Sequence, residues 1–246
     1  MKNTSLLGEP LQLPLRPPLL ALPPSVRAVG YAVDDHDAVV RLLSELKPPG
    51  LPQGAVLKRR AEFLAGRLAA LRALESLGID SQTGPGRRDD GSPSWPEPAV
   101  GSITHGAGRA FCAVARRSDF RSLGIDAERV LDESAKQELL SRICADDERG
   151  VLAQGLPLSE PQRVSVAFSA KESLFKCLYP LVGKYMDFSA ARVVTVAARP
   201  GQSSVAGELE LELSVAWSEA FAAGRRFSAA FVVGPDHVET AVLLAA

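Results

Sequence analysis

Two long helix-period patterns, each set among strand-like stretches, limit what this chain can fold into more than any other feature. From Ala55 to Leu77 the apolar residues Phe63, Leu64, Leu68, Leu71, Leu74 and Leu77 recur at three- and four-residue steps. That spacing lines one face of a helix, and Gly78 stops it. The breaker Lys47-Pro-Pro-Gly-Leu-Pro-Gln lies ahead of this helix, and a second long helix is predicted from about Pro161 to Leu181. Strands are expected at Arg27 to Val33, Val100 to Thr104, Arg109 to Ala115 and Ser122 to Ala127, with a helical segment around Glu133 to Ile143 and loop from Ser81 to Pro98. Residues 188–246 read as mostly β: Glu208-Leu-Glu-Leu-Glu-Leu alternates with period two, and Gly234-Pro-Asp-His separates two strand-like runs. The order strand, long helix, strands thus occurs in residues 27–116 and again in 122–246. The expected fold class is α+β, with two similar halves, 1–118 and 119–246. Each half packs a long helix on a mostly antiparallel sheet, and the cleft between the halves is the natural ligand site.

Composition narrows the function. With 246 residues and 46% hydrophobic content, the chain can bury roughly 70–75% of its unfolded surface, so disorder over most of it is excluded. The 28 basic and 29 acidic side chains nearly cancel, which argues against nucleic acid or an anionic membrane as the main partner. Any anion site must be local. Three scattered cysteines, Cys112, Cys144 and Cys177, form no CxxC pair, so neither a disulfide framework nor a structural zinc site is expected. Residues 1–25 are proline-rich and expected to be extended, draped over the surface or mobile. Pro10, Pro14, Pro17, Pro18, Glu9 and Arg16 break their apolar run, so no signal peptide is expected. Nowhere do 18 apolar residues run uninterrupted; no membrane span and a cytoplasmic location are the expectation.

Four local patterns could carry chemistry, and each has a bland alternative. In Gly124-Ile-Asp-Ala-Glu128, residues two apart on a strand share a face at roughly 6–7 Å. Asp126 and Glu128 could therefore seat a hard cation such as magnesium, or be two solvated acids of an edge strand. Phe168-Ser-Ala-Lys-Glu-Ser-Leu-Phe-Lys176 places Glu172 and Lys176 at i, i+4. They are either a helix-surface ion pair or a third metal ligand or base with a phosphate-neutralising lysine. In Gly101-Ser-Ile-Thr-His-Gly-Ala-Gly-Arg109, Ser102, Thr104, His105 and Arg109 could meet a phosphate, or His105 could be structural. The glycines match neither a Walker loop nor a dinucleotide fingerprint. Lys58-Arg-Arg60 with Arg67 offers guanidinium forks suited to phosphate oxygens, or a solvated basic face.

Singly these signals are weak, but their succession is specific. Lys-Arg-Arg-Ala-Glu-Phe-Leu-Ala-Gly-Arg, Gly91-Ser-Pro-Ser-Trp-Pro, Gly-Ser-Ile-Thr-His, Gly-Ile-Asp-Ala-Glu and Phe-Ser-Ala-Lys-Glu-Ser-Leu-Phe-Lys follow in that order over roughly residues 55–182. The succession resembles the 4′-phosphopantetheinyl transferases of the larger monomeric type, close to the enterobactin-synthesis members; the C-terminal β region agrees only in pattern. The resemblance implies two halves in pseudo-twofold relation with coenzyme A and magnesium, or manganese, between them. It implies transfer of 4′-phosphopantetheine from coenzyme A to a serine hydroxyl of an acyl or peptidyl carrier protein of fatty acid, polyketide, siderophore or nonribosomal peptide synthesis, with release of adenosine 3′,5′-bisphosphate.

By motif match, the family's metal ligands fall on Asp126, Glu128 and Glu172. Asp126, Glu172 and Lys176 are the expected catalytic set, with Glu172 or a water as the base and Lys176 offsetting charge on the leaving group. His105 and Arg59 match the residues that contact the 3′-phosphate, with Arg67, Ser102 and Thr104 nearby. Gly91 and Pro93 match a loop bordering the nucleotide. Lys171 is expected either at the pantetheine phosphate or facing solvent. The loop departs from many relatives by carrying Asp90 and Ser92 in place of a basic residue, for which Arg87 or Arg88 could substitute. Two other readings are a metal-dependent phosphohydrolase, which would normally use more histidine ligands than His36, His105 and His237 supply, and an inactive coenzyme A-binding relative. A monomer is expected, because one chain builds a complete cleft.

Overall fold

The computed structural model describes residues 13–43, 54–81, 84–131, 137–201 and 204–246. The breaker at 47–53, the first 12 residues of the proline-rich lead-in and residues 133–136 of the expected third helix lie outside them. The first half of the chain runs β1 (Arg27–Ala32), α1 (His36–Leu43), α2 (Leu57–Ser76), β2 (Gly86–Arg87), β3 (Pro93–Ser94), β4 (Ala99–Gly106) and β5 (Arg109–Arg116). It continues with β6 (Phe120–Arg129), α3 (Gln137–Ile143), α4 (Asp146–Gly155), α5 (Glu160–Val182), β7 (Ala191–Pro200), β8 (Val205–Leu213), β9 (Arg226–Val233) and β10 (His237–Ala245).

Two antiparallel sheets result, one ordered β1-β5-β4 and the other β6-β10-β9-β8-β7, with β2 and β3 forming a separate short ribbon. In each sheet the strand preceding the long helix pairs with the last strand of its half: β1 on β5, and β6 on β10. This is the mixed α+β, antiparallel class expected.

Helix α2 ends where Gly78 takes a left-handed φ of 73°. Helix α5 starts at a capping box in which the Ser159 amide donates to Gln162 at 2.9 Å, with Pro161 in its first turn. One core forms where Leu64, Leu68 and Leu74 of α2 meet Tyr31, Cys112 and Val114; another where Leu174 and Leu178 of α5 meet Leu209, Leu211, Phe227 and Phe231. A third joins the sheets, with Phe111, Val100, Leu123, Ile125 and Val232. Strand β5 is thus buried on both faces, Cys112 and Val114 toward α2 and Phe111 toward the other sheet. In β8 the alternation holds: Leu209, Leu211 and Leu213 face the core, while Glu210 and Glu212 pair with Arg226 on the outer face.

Three departures from the sequence reading have local causes. Helix α1 is only 8 residues long, too short for a helical period to show. Helix α4 opens on Asp146-Asp-Glu and buries only Glu148 and Leu152, so it presents no apolar stripe. Strands β2 and β3 are two-residue pieces inside the expected loop, where alternation has no meaning. The described part of the lead-in is draped and held: the Arg16 amide donates to Gly30 O and the Ala32 amide to Pro14 O, both at 2.9 Å. Among the described residues no helix is long and apolar enough to cross a membrane.

Candidate active site at the junction of the sheets

Strands β4 and β6 belong to different sheets, and side-chain hydroxyls join them. Ser102 Oγ accepts from the Ile125 amide and Thr104 Oγ1 from the Ala127 amide, each at 3.2 Å. The alternation of β4 points Ser102 and Thr104 the same way, and the same hydroxyl that fixes β6 reaches its acid: Thr104 Oγ1 donates to Asp126 Oδ1 at 3.1 Å. Asp126 is buried. Its other donors come from α5, Lys176 Nζ at 2.5 Å on Oδ1 and Ser169 Oγ at 2.8 Å on Oδ2. Ser169 is backed by Thr240 Oγ1 at 3.0 Å, which in turn meets Ser173 Oγ at 2.7 Å. A buried carboxylate with this many donors is satisfied as an anion. Lys176 therefore turns to Asp126 of β6 rather than along the helix surface to Glu172.

Two further carboxylates act on this centre. Glu128, two residues along β6, has its carboxyl pushed up to about 7, first by burial and then by Asp126, with Glu172 and Glu62 adding to the repulsion. Glu172 is also raised, by burial first and then by Asp126 against the opposing Lys176. Among the described residues no three His, Cys, Asp or Glu side chains already form a cage for an ion. The donor set nevertheless fits a hard divalent cation. Asp126, Glu128 and Glu172 offer only oxygen, and their mutual repulsion is what a cation would relieve. Lys176 takes part of that load in the structure as it stands.

The His105 ring lies between two side chains of α2: Nε2 contacts an Arg59 Nη, and Nδ1 is 3.5 Å from Glu62 Oε2. Burial foremost, then Arg59 and Lys176, depress its pKa against the pull of Glu62 and Asp126, so the imidazole is neutral near pH 7.

Around the buried Asp126, the other charged groups border hollows. A cleft of about 530 Å³ is walled by Arg59, Gly91, Pro93, Trp95, Ser102 and Lys176. A second, of about 490 Å³, is lined by Lys58, Glu62, His105, Glu128 and Arg129. A crevice of about 100 Å³ runs from Glu172 to Phe175, Met186, Phe188 and Trp217.

Three expected binding residues are committed to other partners. Arg67 is buried in α2, packed 4.9 Å from the Phe63 ring, and donates to the carbonyls of Pro85 and Gly86. Its guanidinium holds the root of the 84–94 loop and walls none of the three hollows. Lys171 is not solvent-facing: Nζ lies 2.7 Å from Glu148 Oε1 and donates to Ile143 O at 2.9 Å, while the residue borders the crevice beside Glu172. Thr104 is buried with its hydroxyl committed to β6, so only Ser102 of that pair reaches the cleft wall.

Sequence reasoning missed Glu62, although i, i+3 spacing from Arg59 puts it on the same helix face. It also missed the role of Glu148, which takes Lys171 and accepts from the Ala145 and Val193 amides, both at 2.9 Å. A third omission is the hydrogen bond from Tyr179 Oη to Asp90 Oδ2, 2.9 Å, which ties the 90–93 loop to α5. No local signal announces the last two.

Comparison with known proteins finds relatives over both parts of the chain. Residues 48–115 match a family described as the 4′-phosphopantetheinyl transferase N-terminal domain, and residues 122–232 match the 4′-phosphopantetheinyl transferase superfamily. Enterobactin synthase component D of Salmonella typhimurium is 38% identical over 141 residues, 57% of each chain. The 4′-phosphopantetheinyl transferase Svp of Streptomyces mobaraensis is 44% identical over 142 residues, 56% of each chain. The 4′-phosphopantetheinyl transferase Npt of Nocardia iowensis is 32% identical over 161 residues, covering 65% of this chain and 70% of that one. The chain thus spans little more than half the length of the first two of these relatives.

Proposed function

Since the chain belongs to the 4′-phosphopantetheinyl transferase family, we propose that it transfers 4′-phosphopantetheine from coenzyme A to a serine hydroxyl of an apo acyl or peptidyl carrier protein, releasing adenosine 3′,5′-bisphosphate. The observation that carries this reading is the meeting of Asp126, Glu128, Glu172 and Lys176 where β6 and α5 face β4, with open clefts on either side.

In this reading residues 1–118 and 119–246 are the two halves, and the donor lies across their junction. Arg59 holds the 3′-phosphate with His105 set against its guanidinium, and Gly91 and Pro93 border the nucleotide. Both glycine and proline keep that wall free of long side chains. Asp126, Glu128 and Glu172 would hold magnesium or manganese, which when bound draws charge from the pyrophosphate. Lys176, hydrogen-bonded to Asp126, offsets negative charge on the leaving bisphosphate. The carrier serine, with a pKa far above neutrality, must lose its proton as it attacks phosphorus, and Glu172, whose carboxyl burial makes more basic than usual, accepts it. A proton accepted there leaves the site as the carboxyl re-ionises. Arg67 and Thr104 act from beneath, by fixing the loop and β6. The protein works as a monomer in the cytoplasm.

Incubating the protein with coenzyme A, magnesium and apo carriers of several classes tests this by intact mass. The expected result is a carrier heavier by one phosphopantetheine group. Release of inorganic phosphate without a mass gain would make the protein a phosphohydrolase and overturn the reading.

A further inference from the structure

We infer that Glu62 is a positioning residue of the donor's phosphate site, holding the His105 ring in one tautomer and plane so that its Nε2 fixes the Arg59 guanidinium at the mouth of the 530 Å³ cleft. The inference rests on the donor-binding role proposed above for Arg59 and His105.

The argument starts from what each group can do. A guanidinium has only donors, so the nitrogen that Arg59 contacts must be a lone-pair acceptor, and that nitrogen is Nε2. In the neutral ring the single proton is then on Nδ1, the nitrogen 3.5 Å from Glu62 Oε2. Arg59 and Glu62 lie one turn apart on α2 and close on His105 from the same helix face, while His105 arrives from β4. The Glu62 side chain is only 12% exposed and its other neighbour is the exposed Lys58 at 3.8 Å. Glu62 is thus the acceptor that α2 presents to Nδ1 among the described residues. Without it the proton is free to move to Nε2, where it would face the Arg59 donors and release the guanidinium. A Gln at 62 retains a carbonyl acceptor for Nδ1–H, whereas an Ala does not.

Transfer kinetics with coenzyme A and with 3′-dephospho-coenzyme A, measured for the wild type, Glu62→Ala, Glu62→Gln, His105→Ala and the Glu62→Ala/His105→Ala double variant, test this. Losing this polar contact should raise the coenzyme A KM of Glu62→Ala about two- to tenfold. Its kcat should hold, and its KM for the dephospho donor should not move. Glu62→Gln should restore most of the affinity, and in the His105→Ala background Glu62→Ala should add nothing. Equal losses with both donors, or an undiminished loss in that background, would make Glu62 merely structural and overturn the inference while leaving the transfer activity standing. A wild type that modifies no carrier would remove the transfer reading, and this inference with it.

Discussion

Glu128 and Asp126 sit two residues apart on β6, yet one is fully partnered and the other is left to its neighbours' repulsion. Asp126 receives Thr104, Ser169 and Lys176, while the carboxyl of Glu128 rises from 4.5 to about 7. In metal-free protein the folded state therefore keeps a proton on Glu128 that the unfolded chain gives up. The stability this contributes is fully present below about 4.5 and is lost as pH rises through about 7. Glu128→Gln removes the titration. Denaturant midpoints of metal-free protein should accordingly diverge between those limits, with the variant the more stable at pH 8, while it loses transfer. Parallel midpoint profiles for the two proteins across that range would contradict the assignment. The residue scale is also where the sequence was most legible: the Asp126 and Glu128 alternation, Glu172, Lys176, His105 and Arg59 are local patterns. Arg67 and Lys171 were not, because an arginine or lysine in a helix looks the same whether it meets solvent, a phosphate, or the carbonyls and Glu148 that take them here.

Helix α5 owes its closeness to β6 to one residue without a side chain. A Cβ on Gly124 would lie 2.0 Å from Ser173 O and 2.5 Å from Cys177 N, backbone atoms that cannot move aside alone. Ser122 beside it donates to Cys177 O at 2.5 Å, fastening the same turn. Because Ser169, Glu172 and Lys176 ride on this helix, its distance from β6 sets their distance from Asp126. Gly124→Ala should lower stability by about 3 kcal/mol or more, toward the upper end for overpacked cores, and reduce transfer by displacing Lys176. Urea unfolding with an unchanged slope and a lower midpoint is the expected signature; an unchanged midpoint would show that the helix has room. At this scale the two long helices and the β8 alternation could be read directly, since each buries one stripe or one face. Strand β5 could be located but not oriented, as Phe111 and Cys112 are buried on opposite faces. The joining of β4 to β6 by Ser102 and Thr104 had no sequence signature, because hydroxyl partners 23 residues away leave no period.

The two sheets and the lead-in are drawn together at Glu239, which is wholly buried on β10. Its Oε2 accepts from the Leu19 and Leu20 amides at 2.7 and 3.0 Å, and its Oε1 meets Arg109 of β5 and His237 Nε2, the latter at 3.3 Å. One carboxylate thus touches the extended lead-in, the first sheet and the second. It lies opposite Ala127 of β6, and the next residue, Thr240, stands opposite Asp126. The proline-rich segment is a strap across the junction, and its attachment point borders the acidic centre. Burying such a charge is tolerable only while every partner remains. Glu239→Ala strands the Arg109 guanidinium and should cost about 3–5 kcal/mol, with loss of coenzyme A affinity as the junction loosens. Glu239→Gln keeps an oxygen for the Leu19 and Leu20 amides but gives up the charge facing Arg109, so it should fold with intermediate stability. Hydrogen exchange separates the two roles. The Leu19 and Leu20 amides should remain protected relative to neighbouring exposed positions in Glu239→Gln and exchange freely in Glu239→Ala, whereas equal protection in both variants would show that the strap is held by its contacts with β1 alone.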